Sequence, residues 1–74
     1  MTMRKRLPHN LDAEACVLGG VLLGGRMSAA VRHLRDRDFL DPKHQAIWSA
    51  FRAIDSRHEP IDVVTVEAEL LALG

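Results

Sequence analysis

Covalent and aromatic chemistry is scarce in this chain. Among 74 residues there are one cysteine, one tryptophan, two phenylalanines and no tyrosine. A single thiol, Cys16, forms no internal disulfide, which excludes the small secreted folds held together by such bridges. Net charge is also absent, because ten Lys and Arg balance ten Asp and Glu. There is no repeat and no low-complexity segment. Long apolar runs are missing too. The longest uncharged stretch, Ala15 to Gly25, has eleven residues, about half of what a bilayer span needs. Arg4, Lys5 and Arg6 precede it as they would in a signal peptide, but Asp12 and Glu14 interrupt the approach and no small-residue cleavage site follows. The expectation is a cytoplasmic protein with no membrane partner.

What is present is ordinary globular composition, 47% hydrophobic and 27% charged, too apolar for a disordered segment. Size scaling gives roughly 7,400 Å² buried on folding. At about 60% apolar and about 25 cal/mol per Å², that burial contributes on the order of 110 kcal/mol. Ordering the chain costs about 1.5 kcal/mol per residue, again on the order of 110 kcal/mol. A lone monomer is therefore marginal, and a partner surface or further chain is the expected remedy. Charge is uneven along the chain: +3 over residues 1–8, −2 to residue 25, +3 over residues 26–58 and −4 thereafter. Such a polarity favours contacts between copies over a nucleic-acid face. Residues 1–8 read as a flexible basic arm and residues 9–74 as one helical domain.

Apolar spacing reads as helix throughout, and no segment alternates with period two. Leu11, Ala15, Leu18 and Leu22, widened by Val17 and Val21, predict a helix over residues 11–23. Asn10 would cap it, Asp12 and Glu14 would face the positive end of its dipole, and Gly24-Gly25 would end it. Ala30, Val31 and Leu34 suggest a short helix over residues 27–35, weakly capped by Ser28. Asp41 as N-cap and Pro42 at the first helical position open a third helix over residues 42–56. His44, Ile47, Trp48, Phe51 and Ile54 form its apolar face. Asp62 caps a fourth, over residues 63–73, with Ile61 and Val66 as a hydrophobic staple. Val63, Val66, Leu70 and Leu73 are expected to form its apolar face. The fold class is all-α, a compact orthogonal bundle of about four helices.

Catalytic chemistry is not visible. The glycines from Gly19 to Gly25 lack the lysine and hydroxyl of a phosphate loop. As a GxxxG pair, Gly20 and Gly24 read as packing or a weak helix end. His9, His33, His44 and His58 form no metal-ligand pair at motif spacing, and His44 reads as a satisfied, half-buried side chain. Cys16 reads as a buried small hydrophobe. Asp12 and Glu14 do not share a helix face, which leaves paired-carboxylate catalysis without geometric support. No catalytic, cofactor-binding or metal-ligating residue is assigned. Arg4, Lys5 and Arg6 are candidate phosphate contacts, enough for a weak, salt-sensitive affinity. Arg32, Arg35 and Arg37 come nearest to a base-reading set, offset by Asp36 and Asp38. These features leave an alternative open, a small stand-alone helical DNA-binding regulator.

Three blocks in order resemble a family. The run Asp38-Phe39-Leu40-Asp41-Pro42-Lys43-His44-Gln45-Ala46-Ile47-Trp48 is similar to the Asp-Phe…Pro-x-His-x-x-Ile-Phe segment of the N-terminal domain of DnaB-type replicative helicases. Pro60-Ile61-Asp62-Val63-Val64-Thr65-Val66 resembles that family's Pro-Ile-Asp-x-x-Thr-Val. Upstream, Pro8-His9-Asn10-Leu11-Asp12-Ala13-Glu14-Ala15 followed by Val17-Leu18-Gly19 resembles its Pro-x-Ser-x-Glu-Ala-Glu…Val-Leu-Gly opening. The resemblance implies a non-catalytic helical collar on a hexameric ring that encircles one DNA strand, supports ring assembly and helps recruit primase. ATP and Mg²⁺ would belong to a separate motor domain, since this chain has no Walker motifs. The implied partners are copies of the chain or other helicase subunits, with primase next and DNA only weakly or indirectly. The chain would be truncated relative to the full family domain, whose helical hairpin follows the position of Gly74. Asp38, Phe39, His44, Trp48 and Asp62 match family positions and read as caps and core. One departure stands out: the family usually has glycine where this chain has His58, which must take positive φ at a cost or end the helix differently.

Overall fold

The computed structural model describes residues 11–73. Three α-helices, α1 (Leu11–Gly24), α2 (Pro42–Ser56) and α3 (Val63–Leu73), are joined by a long segment carrying a 3-10 turn at Asp36–Asp38 and by a short corner. No strand occurs among these residues, and α2 packs against both other helices. The expected caps of Asn10 and the basic arm of Arg4, Lys5 and Arg6 lie outside the described residues, as does His9.

The start of α2 follows from its cap chemistry. Asp41 is extended, its carboxylate accepts the Lys43 N–H at 2.8 Å, and Pro42 occupies the first turn, where a missing N–H costs nothing. Its end is a Schellman turn. The His58 N–H donates to the Asp55 carbonyl at 2.9 Å and the Glu59 N–H to the Ile54 carbonyl at 3.3 Å. That turn puts His58 at φ +59°, so the departure from glycine resolves as backbone strain. At α3, Asp62 and Thr65 cap reciprocally: the Thr65 N–H donates to the Asp62 carboxylate and the Asp62 N–H to the Thr65 hydroxyl, both at 2.9 Å. Ile61 and Val66, the expected staple, are both buried.

The predicted helix over residues 27–35 does not form. Its place is taken by successive tight turns, with the Val31 N–H on Ser28 and the Leu34 N–H on Val31, both at 3.1 Å. Ala30, Val31 and Leu34 are spaced as in a helix, but α2 takes two carbonyls of the connecting segment, one of them within residues 27–35. The Trp48 indole N–H donates to Leu34 at 3.1 Å and the Gln45 amide to Phe39 at 2.8 Å. Packing of Met27, Leu34 and Phe39 into the core thus replaces helical hydrogen bonding. The three aromatics pack in sequence there, Trp48 tilted against Phe39 at 5.0 Å and edge-to-face with Phe51 at 5.8 Å between ring centroids. Among the described residues the bundle has three α-helices, one fewer than the spacing suggests.

Two predicted faces are also rotated or shortened. On α1 the buried residues are Glu14, Leu18 and Val21, while Leu11 and Ala15 are exposed. Beyond its first turn α1 is apolar on every side, so spacing alone cannot select the inward face. On α3, Val66 is buried and Leu70 partly so, whereas Val63 and Leu73, at the two ends of the same face, stay exposed. On α2 the expected Trp48, Phe51 and Ile54 are buried together with Ala50, and Ile47 packs against them. Gly25 ends α1 at φ +74°, its N–H on the Val21 carbonyl and its own carbonyl accepting the Ile61 N–H, both at 2.8 Å. This glycine ties the end of α1 to the corner before α3.

Candidate functional site

The polar centre of the molecule is a carboxylate that has no solvent exposure. Glu14, projecting inward from α1, accepts the Leu40 N–H at 2.6 Å, the Asp41 N–H at 3.4 Å and His44 Nδ1 at 2.8 Å. Burial would push its carboxyl up; the Leu40 N–H, the His44 ring and the Asp41 N–H outweigh that and hold it below the ordinary value of 4.5. An ionised Glu14 is acceptor-only, so the proton of His44 sits on Nδ1. The node therefore clips α1 to the N-terminus of α2. Enclosed on all sides, Glu14 cannot reach a substrate.

Spacing had not singled out Glu14 as buried. Its three donors lie 26 to 30 positions away, and nothing within α1 announces them. His44, 18% exposed at the side chain, is the satisfied half-buried residue expected of it. The remaining family-matching residues are placed as follows. Phe39 and Trp48 are core, Asp38 accepts the Arg35 N–H at 2.7 Å, and Asp62 caps α3. No group of three His, Cys, Asp or Glu among the described residues could hold a metal ion.

The surface has more to offer a partner than the interior has to offer a substrate. Leu23 is 93% exposed, Leu71 82% and Val64 74%. Cys16 is exposed, contrary to expectation, because turning Glu14, Leu18 and Val21 inward turns residue 16 outward. Gly20 and Gly24 are not packed either: a Cβ at either would meet nothing within 4 Å. With Val17 and Val31 these residues border an open apolar groove of about 330 Å³ along α1. No helix among the described residues is long and apolar enough to cross a membrane. Leu23, Val64 and Leu71 are thus apolar side chains left on the surface.

The family model described as DnaB-like helicase N terminal domain matches residues 6–74. The replicative DNA helicase DnaB of Leifsonia xyli subsp. xyli is 43% identical over 68 residues, covering 90% of this chain and 15% of the relative. That of Mycobacterium leprae is 47% identical over 64 residues, 85% of this chain and 11% of the relative. The replicative DNA helicase DnaC of Bacillus subtilis is 39% identical over 64 residues, 85% of this chain and 14% of the relative. No solved structure matches. The chain thus spans 11–15% of the length of these relatives, and over nearly all of its own length it belongs to the DnaB-like helicase N-terminal domain family.

Proposed function

We propose that this chain is a non-catalytic assembly and partner-binding module of a hexameric replicative DNA helicase, supporting ring formation and primase recruitment. The observation that carries the reading is the contrast between a closed aromatic core and the bare apolar faces of α1 and α3. Leu23, Val63, Val64, Leu71 and Leu73 are all more than half exposed. Exposed apolar residues in that number on so small a fold mark contact surface. The fully enclosed Glu14 agrees with a scaffold role, since its charge is used to hold two helices together. ATP and Mg²⁺ act in a separate motor domain of the parent protein, and the module's own partners are further copies, other helicase subunits and primase. The alternative of a stand-alone DNA-binding regulator is weakened, because the short helix it would use is a string of turns.

The test is made on the full-length helicase. Charge-neutral polar replacements at Leu23 and Leu71 should leave ATP turnover per subunit measurable while shifting the protein from hexamer to smaller species on sedimentation. Primase co-elution should fall with it. Hexamers and primase binding that survive both replacements would refute the proposal.

A further inference from the structure

Two surfaces of this chain complement each other. The groove along α1 is concave and apolar, and its one charged lining residue is Arg26, just past the end of the helix. Gly20 and Gly24 lie in it with open space where a Cβ would stand, so another backbone can approach closely. Leu23, seven positions after Cys16 and three after Gly20, stands on that same side of α1 and is exposed. The outer face of α3 is the converse, a convex apolar ridge. Val64, Ala68 and Leu71 recur there at +4 and +3 and are all exposed, with Glu67 beside them as the one charge. The other acid of the helix, Glu69, is taken by Arg57 at 2.7 Å. Arg26 and Glu67 are both exposed, and neither makes an ion pair among the described residues.

We propose, resting on the assembly reading above, that α3 of one copy docks into the α1 groove of the next, head to tail, with Glu67 set against Arg26. The occupant is a second copy because the charges are divided to suit one. Residues 26–58 sum to +3 and residues 59–74 to −4, while the whole chain sums to zero. A symmetric pairing is disfavoured. Ridge on ridge would bring Glu67 near Glu67, and groove on groove would leave two hollows facing. A head-to-tail contact leaves a bare groove at one end of the pair and a bare ridge at the other. Addition therefore continues beyond the dimer until a ring closes or a filament grows.

The test is charge reversal in the 74-residue chain, read by sedimentation equilibrium. The parent should pass beyond the dimer as concentration rises. Arg26→Glu and Glu67→Arg, each alone, should weaken association about tenfold by placing like charges together. Their equimolar mixture, or both reversals in one chain, should return it to within about threefold of the parent. Arg37→Glu, at an exposed site outside the groove, makes the same net change as Arg26→Glu and should associate like the parent. Maleimide labelling of Cys16, which is exposed and lines the groove, should slow as the parent's concentration rises, a readout that survives if a reversal variant fails to fold. Association that ignores both single reversals, or that they weaken without recovery in the mixture, would overturn the pairing and leave the assembly reading in place. So would a parent that stops at the dimer. Cys16 shielded at every dilution would also overturn it, by putting another segment of the same chain in the groove. A parent that stays monomeric would overturn both the pairing and the assignment of these faces to assembly.

Discussion

Helix α2 and its neighbours use apolar residues in opposite ways. α2 is the more amphipathic element, and its buried Trp48, Ala50, Phe51 and Ile54 all face the core. α1 and α3 are richer in apolar residues, yet the only apolar side chains they bury are Leu18, Val21 and Val66, and they leave Leu23, Val64 and Leu71 in solvent. In a chain this short, amphipathic balance closes the core, whereas apolar surplus beyond what one core can take stays on the surface, where the proposed assembly would use it. Four variants separate the two.

The largest effect belongs to the α2 side. Trp48→Ala removes the ring between Phe39 and Phe51 and the donor that holds the Leu34 carbonyl. The expected loss is about 3–5 kcal/mol, comparable with the whole stability of a small domain. Circular dichroism should show a largely unfolded chain at 37 °C. An unchanged melting temperature would mean that Trp48 is not the keystone of the core.

Next comes the clip between α1 and α2. Glu14→Gln keeps the shape but loses the charge that three donors share, which predicts a loss of about 2–4 kcal/mol by urea titration. Because the folded carboxyl titrates below its ordinary 4.5, its contribution is complete above that pH and fades as pH falls through the folded value. The stability gap between parent and variant should therefore be constant from neutral pH to about pH 5 and close below 4.5. A gap that persists into strong acid would contradict the ionised, hydrogen-bonded Glu14.

His58→Gly should act in the opposite direction. Glycine takes φ +59° without the strain of a side chain, so the variant is expected to gain about 1 kcal/mol, seen as a rise in melting temperature. Smallest of all, on stability, is Leu23→Ser with Leu71→Ser. Both sites are outside the core, and the melting temperature should move within the range of about 0.5 kcal/mol typical of surface changes. A large loss there would place those residues in the fold and dissolve the contrast.

How much of this was legible beforehand depends on how local the determinants are. The bounds of α2 and α3 are readable from Asp41-Pro42 and from Ile61-Asp62, because caps and staples act within one turn. The resemblance had already marked His58 as a forced positive φ or an altered helix end. The segment over residues 27–35 misleads because Ala30, Val31 and Leu34 keep helical spacing. Its partner in the core, Trp48, sits on α2, outside any local window. Glu14 is opaque for the same reason. Its environment is assembled from residues 40, 41 and 44, and a carboxylate in a first helical turn ordinarily reads as a solvent-facing dipole partner. The outward turn of Cys16 follows directly from the inward turn of Glu14, so one non-local node accounts for both surprises on α1.

Sedimentation velocity of the isolated chain over a range of concentrations tests the central claim most directly. The parent sequence should shift to larger species as concentration rises, while Leu23→Ser/Leu71→Ser should sediment as a monomer with an unaltered helical spectrum. A parent chain that stays monomeric throughout, or a variant that associates as the parent does, would contradict the assignment of these two faces to assembly.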